Sequence, residues 1–122
     1  AHSKGKGYFL MIEGAQIDWG GHANDADYII SEMLDFDKSI GAVLDWAEKD
    51  GETLVIVTAD HETGGFSINL GTTQDTMVTE FTTDYHTAEL IPVFAFGPGA
   101  EKFSGIYENT AIYDKIKKAL GL

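Results

Sequence analysis

The sequence predicts an α/β fold with a mostly parallel sheet flanked by helices, and three observations carry that expectation. Two apolar runs, "YFLMIE" at 8–13 and "TLVIVTA" at 53–59, have the continuity of strands buried on both faces. Between them Ala26, Ile30, Met33, Ile40, Leu44 and Ala47 recur at helical spacing, with Phe36 filling the gap. Strand, long helix, strand is the pattern of a right-handed crossover joining a parallel pair. Ligands of such sheets gather beyond the carboxyl ends of the strands. Glu13 ends the first of these strands and Asp60-His61 follow the second.

Taken in order, "AHSKGKG" at 1–7 reads as a flexible lead-in and 8–122 as one domain, which is as much as 122 residues allow. After the first strand, Asn24 or Asp25 caps the long helix and Gly51 stands where it stops, a length of about seven turns. Beyond the second strand and "DHETGG" come shorter strand candidates, "FSINL" at 66–70 and the alternating "TMVTEFT" at 76–82. "IPVFAF" at 91–96 is a further buried strand ending in a Gly-Pro-Gly turn. An amphipathic helix, "TAIYDKIKKAL" at 110–120, closes the pattern.

Composition narrows the function. An apolar content of 43% with 11% aromatics is that of a folded chain. The absence of cysteine excludes disulfides and thiolate-bound metals. No window approaches the ~18 consecutive apolar residues of a membrane span. A net charge of −12, from 20 acidic and 8 basic residues, argues against nucleic acid or an anionic membrane as partner. Two readings of the acidity stay open: a solvated surface, or carboxylates gathered to hold cations.

The stretch "IEGAQIDWGGHAND" favours the second. Asp18 and His22 are four residues apart, close enough for one turn to aim both at one ion, and carboxylate with neutral imidazole suits zinc. Asp60-His61 add an adjacent oxygen–nitrogen pair, followed by Thr63 and Gly64-Gly65. His86, preceded by Asp84 and Tyr85, is the remaining imidazole that could complete a site. Each feature alone has a plainer explanation: a capped helix, an Asp turn, a surface histidine. Together they are harder to dismiss, because three of the four histidines stand near aspartates on segments flanking apolar strands.

"FLMIEGAQIDWGGHAND", "TLVIVTADHETGG" and "HTAELIPVFAFGPGAEKFSG" resemble, in order and spacing, three successive signature regions of the alkaline phosphatases. The likeness runs from Tyr8 to Leu122 and implies the carboxyl-terminal part of an alkaline-phosphatase-like sandwich. It implies that Asp18, His22 and His86 bind a first zinc, that Asp60 and His61 bind a second, and that Glu13 binds magnesium. It further implies hydrolysis of a phosphate monoester, a periplasmic or secreted location, and a homodimer among the assemblies open to the chain. Two divalent ions about 4 Å apart can clamp both oxygens of an in-line displacement, so a carboxylate-rich cradle suits phosphoryl transfer. Trp19 departs from the family, whose members carry lysine or histidine after the zinc aspartate, and Tyr85 departs from a frequent glycine.

The family's nucleophilic serine follows an aspartate, and this chain has neither an Asp-Ser pair nor any arginine to clamp phosphate. The expectation is therefore a chain that supplies metal ligands and is inactive alone, with no catalytic residue of its own. The alternative is a non-catalytic acidic module binding divalent cations or a partner. One geometric expectation follows from His86, which lies five residues before the strand 91–96. For His86 to join the other ligands, that strand is expected to run antiparallel to 53–59, since a parallel strand would start at the far end, roughly 20 Å away, unless the connector doubled back along the sheet.

Overall fold

The computed structural model describes residues 7–122, so the predicted lead-in, Gly7 apart, lies outside the described residues. Its longest element is the expected helix, here α2, Ala26–Asp50. Asp25 is the cap: its carboxylate accepts a hydrogen bond from the Tyr28 amide at 3.0 Å, satisfying one of the donors a helix start leaves free. Gly51 ends the helix with φ 72°, a left-handed conformation that glycine adopts without a β-carbon clash. Ahead of α2 stands a short helix α1, Gln16–His22, where the sequence suggests only a glycine-loosened turn. Asn24 joins the two with φ 52°, in the left-handed region that asparagine tolerates better than most side chains.

The strands are short. β1, Val55–Val57, pairs antiparallel with β6, Phe94–Phe96, in the register Val55↔Phe96, Ile56↔Ala95 and Val57↔Phe94. The antiparallel course expected for 91–96 is therefore the one observed. β2, Glu62–Thr63, pairs antiparallel with β5, His86–Thr87. β3, Ser67–Ile68, pairs antiparallel with β4, Thr79–Glu80, so the candidates 66–70 and 76–82 contract to a two-residue ladder. A 3₁₀ turn, Ala100–Phe103, follows β6, and the predicted final helix is α3, Ala111–Ala119.

The mostly parallel sheet is not found: the described residues form three two-stranded antiparallel sheets. The expected parallel pair fails because 8–13 carries no strand. Phe9, Leu10 and Met11 are 64%, 68% and 77% exposed, so the ribbon has apolar side chains but no covering layer. An apolar run signals a strand buried between neighbours, and a strand exists only where neighbours supply its ladder partners. Tyr8 is tethered, its ring 6.2 Å from Trp46 and its hydroxyl 3.4 Å from Thr53 Oγ1, and Phe9 faces Leu120 and Leu122 across a shallow cleft.

Burial is correspondingly thin. Ile29, Ala47 and Phe103 are the buried apolar side chains among the described residues. The chain exposes 9286 Å², whereas a compact monomer of its mass would expose about 6,500 Å². The excess includes large apolar side chains left exposed, Leu10, Met11, Leu70 and Leu90 among them.

Candidate metal centre

Three segments converge at one end of the molecule: α1, β2 with the turn after it, and the loop leading into β5. Their approach depends on Gly21. A β-carbon there would lie 2.7 Å from the Thr63 carbonyl oxygen and 2.8 Å from the Thr63 β-carbon, so only glycine lets α1 and β2 touch this closely. Glu62 holds the turn that follows, accepting hydrogen bonds from the amides of Gly65 at 3.0 Å and Phe66 at 3.1 Å, and from the Thr87 hydroxyl. On the other side, the Asn24 amide turned toward Gly21 and Thr83 donates to both carbonyls, at 3.0 and 2.8 Å, and anchors the loop before β5.

These contacts bring Asp18, His22 and His86 together, with one donor atom of each within 4.8 Å of the others. His22 Nε2 lies 3.2 Å from His86 Nε2 and 3.5 Å from Asp18 Oδ1, and His86 Nε2 lies 3.8 Å from the same oxygen. The proton on His22 is assigned by its other nitrogen. Nδ1 is 2.7 Å from the Asp84 carbonyl oxygen, which only accepts, so Nδ1 carries the hydrogen and, in the neutral ring, Nε2 holds the lone pair. A nitrogen lone pair, a second imidazole nitrogen and a carboxylate oxygen thus face one small space, which requires a shared proton or a cation.

Zinc at the usual 2.0–2.1 Å from each ligand sets donors about 3.4 Å apart in a tetrahedron. The observed separations scatter around that value, so the three residues fit such an ion and leave a fourth position free. All three side chains keep roughly two-fifths to half of their surface exposed, so the set is open to solvent.

Asp60 and His61 form a second pair, His61 Nε2 lying 3.2 Å from Asp60 Oδ2. It adjoins the first: the rings of His61 and His86 stack with centroids 3.5 Å apart. The Asn109 side-chain amide donates to the Asp60 carbonyl at 3.1 Å. A cleft of about 420 Å³ opens beside this pair, between segments 87–93 and 103–109. Glu13 is exposed, precedes α1 and stands outside the three-residue group. Trp19 is 65% exposed on α1 and Tyr85 71% exposed ahead of β5.

Five of the six candidates read from the sequence thus lie in two adjoining sets, and Glu13 lies apart from the three-residue group. The residues that organise these sets were not singled out as such: Thr63, Glu62 and Asn24, with the backbone of Asp84. Asn24 and Thr63 carry a local signal, an asparagine straight after a helix and a threonine beside "GG". Their partners lie far away in the chain, and no spacing rule reaches them.

The alkaline phosphatase family model matches residues 2–80 and 72–122. Alkaline phosphatase 3 of Bacillus subtilis is 32% identical, over 93% of this chain and 40% of its own length. Streptomycin-6-phosphate phosphatase of Streptomyces griseus is 36% identical, over 97% of this chain and 30% of its own. Among solved structures, alkaline phosphatase from the Antarctic bacterium TAB5 superposes with a TM-score of 0.84 at 55% identity, covering 89% of this chain and 34% of that one. A cold-active alkaline phosphatase from the psychrophile Shewanella sp. superposes with a TM-score of 0.86 at 26% identity, over 95% and 46%. The chain thus spans less than half the length of each of these relatives. The segments that carry the candidate ligands and the small antiparallel ladders beside them sit on part of their α/β fold, and the chain belongs to the alkaline phosphatase family.

Proposed function

We propose that this chain supplies the metal-binding face of a zinc-dependent phosphomonoesterase. Asp18, His22 and His86 hold one zinc, Asp60 and His61 hold part of a second site, and Glu13 serves magnesium. The observation that carries the reading is His22 Nε2 facing His86 Nε2 at 3.2 Å beside the Asp18 carboxylate. Bound zinc at such a site supplies charge neutralisation for a phosphate monoester and a water of lowered pKa. The chain's own contribution is geometric: the Asp84 carbonyl orients His22, β2 and β5 present His61 and His86 side by side, and the open fourth position admits a ligand. Magnesium as third ion draws support from a variant of the Antarctic enzyme solved with Mg bound.

The remaining machinery lies outside these residues. Without arginine or an Asp-Ser pair, the chain alone has no clamp for phosphate and no nucleophile of the family's kind, so turnover belongs to a longer protein whose other segments cover Tyr8–Ile12. Among the described residues no helix is long and apolar enough to cross a membrane; the periplasmic or secreted location is proposed from the family alone.

Equilibrium dialysis of the chain against zinc, with metal analysis, tests this reading. The expected result is one tight equivalent and a second, weaker one, because the first set has three ligands and the second only two. A His22→Ala, His86→Ala double variant loses the tight equivalent. The same samples hydrolyse p-nitrophenyl phosphate negligibly with zinc and magnesium present, since losing a catalytic unit leaves only residual rate. Equal zinc uptake by the double variant contradicts the ligand assignment, and robust chelator-sensitive hydrolysis contradicts the division of labour.

A further inference from the structure

Thr63 occupies a position that neither ligand set explains. Its hydroxyl donates to Asp18 Oδ1 at 2.6 Å and lies 3.3 Å from His61 Nδ1. Asp18 belongs to the three-residue group and His61 to the adjoining pair, so one hydroxyl touches both. Its backbone is the ladder partner of His86, and its side chain packs on Gly21, directly before His22. Asp18, His61 and His86 are thus each contacted or paired by this one residue, and His22 follows the glycine it packs on.

A hydroxyl has one hydrogen to give. The short contact to the carboxylate takes it, so the oxygen offers His61 only a lone pair. The Thr63–His61 contact is therefore a hydrogen bond only in the tautomer with the hydrogen on His61 Nδ1. That tautomer leaves the free pair on Nε2, 3.2 Å from Asp60 Oδ2; a hydrogen on Nε2 would instead be donated to that carboxylate. Ring-nitrogen assignment of this kind is how residues behind a metal ligand tune its basicity and direction.

We propose that Thr63 is the positioning residue that couples the two ligand sets, steering the Asp18 carboxylate and fixing His61 with Nε2 free to bind. The proposal rests on the metal-centre reading above, and its test separates the two. Long-range ¹⁵N–¹H correlation spectra of the metal-free, histidine-labelled full chain, at about pH 8 where imidazoles are ordinarily neutral, report each tautomer without any metal. His61 is expected as the Nδ1–H form in the native chain and in Thr63→Ser, and as a mixture in Thr63→Val, which keeps the shape packed on Gly21 but has no hydroxyl. Zinc affinity of the tight site is expected to fall roughly 10–100-fold in Thr63→Val and to return in Thr63→Ser. An Nε2–H tautomer of His61 in the native chain overturns the proposal, as does native zinc affinity in a folded Thr63→Val variant. Should Thr63→Val fail to fold by circular dichroism, the native tautomer and the Thr63→Ser affinity decide. Should the native chain take up no zinc, the metal-centre reading fails, while the tautomers still judge Thr63.

Discussion

The ribbon Tyr8–Ile12 and the ligand-bearing segment from Gln16 to Asp25 are close neighbours in sequence, and they are held in opposite ways. The ribbon is apolar yet exposed, with no ladder and one aromatic tether. The ligand segment is rich in polar groups, yet hydrogen bonds tie it to β2, to the Thr83–Asp84 loop and to the start of α2. The difference separates two kinds of information in one chain. Polar contacts that aim the candidate ligands are all made within these residues, whereas the apolar layer that would seal them against water is not. Directional hydrogen bonds at 2.6–3.0 Å define a geometry one at a time. Apolar burial defines one only when enough surface meets.

The comparison is broken most sharply at Gly21. Gly21→Ala puts a β-carbon into the Thr63 backbone at 2.7 Å, so α1 and β2 must separate. The expected cost is about 1–3 kcal/mol of stability, with weaker zinc binding at Asp18, His22 and His86, read by chemical denaturation and zinc titration of the same variant. Gly41→Ala is the matching control: a β-carbon there meets nothing within 4 Å on the exposed side of α2. It should stabilise by about 0.5–1 kcal/mol, as alanine does over glycine inside helices. A neutral Gly21→Ala shows that the ligand segment is as loosely held as the ribbon.

The ribbon should give the smallest effect. Leu10→Lys and Met11→Lys change side chains that are 68% and 77% exposed, so each is expected to move stability by less than about 0.5 kcal/mol, measured by chemical denaturation. A loss of 2 kcal/mol or more in denaturation of the isolated chain places the ribbon in a packed core and removes the contrast.

How much of this was legible in the sequence divides along the same line. α2 was readable because its signals are local: apolar periodicity, an aspartate cap and a terminal glycine. The antiparallel course of β6 was readable once His86 was required to join Asp18 and His22, since five residues of connector cannot cross the length of a strand. The parallel pair failed because "YFLMIE" encodes readiness for burial and not the neighbours that provide it. α1 was missed because Gly20-Gly21 lowers helix propensity, and close packing against β2 and α2 outweighs that preference. Ligand candidates showed as residue types at a spacing. The groups that orient them, Thr63 and the Asp84 carbonyl, act across 45 and 62 residues of chain, where sequence alone offers no pattern.

X-ray absorption at the zinc edge, on the chain carrying one equivalent of zinc, tests the central claim most directly. The account predicts light nitrogen and oxygen ligands at about 2.0–2.1 Å, with the multiple-scattering signature of two imidazoles, and loss of that signature in the His22→Ala, His86→Ala variant. A spectrum of oxygen ligands without imidazole, or one that the double variant leaves unchanged, would contradict it.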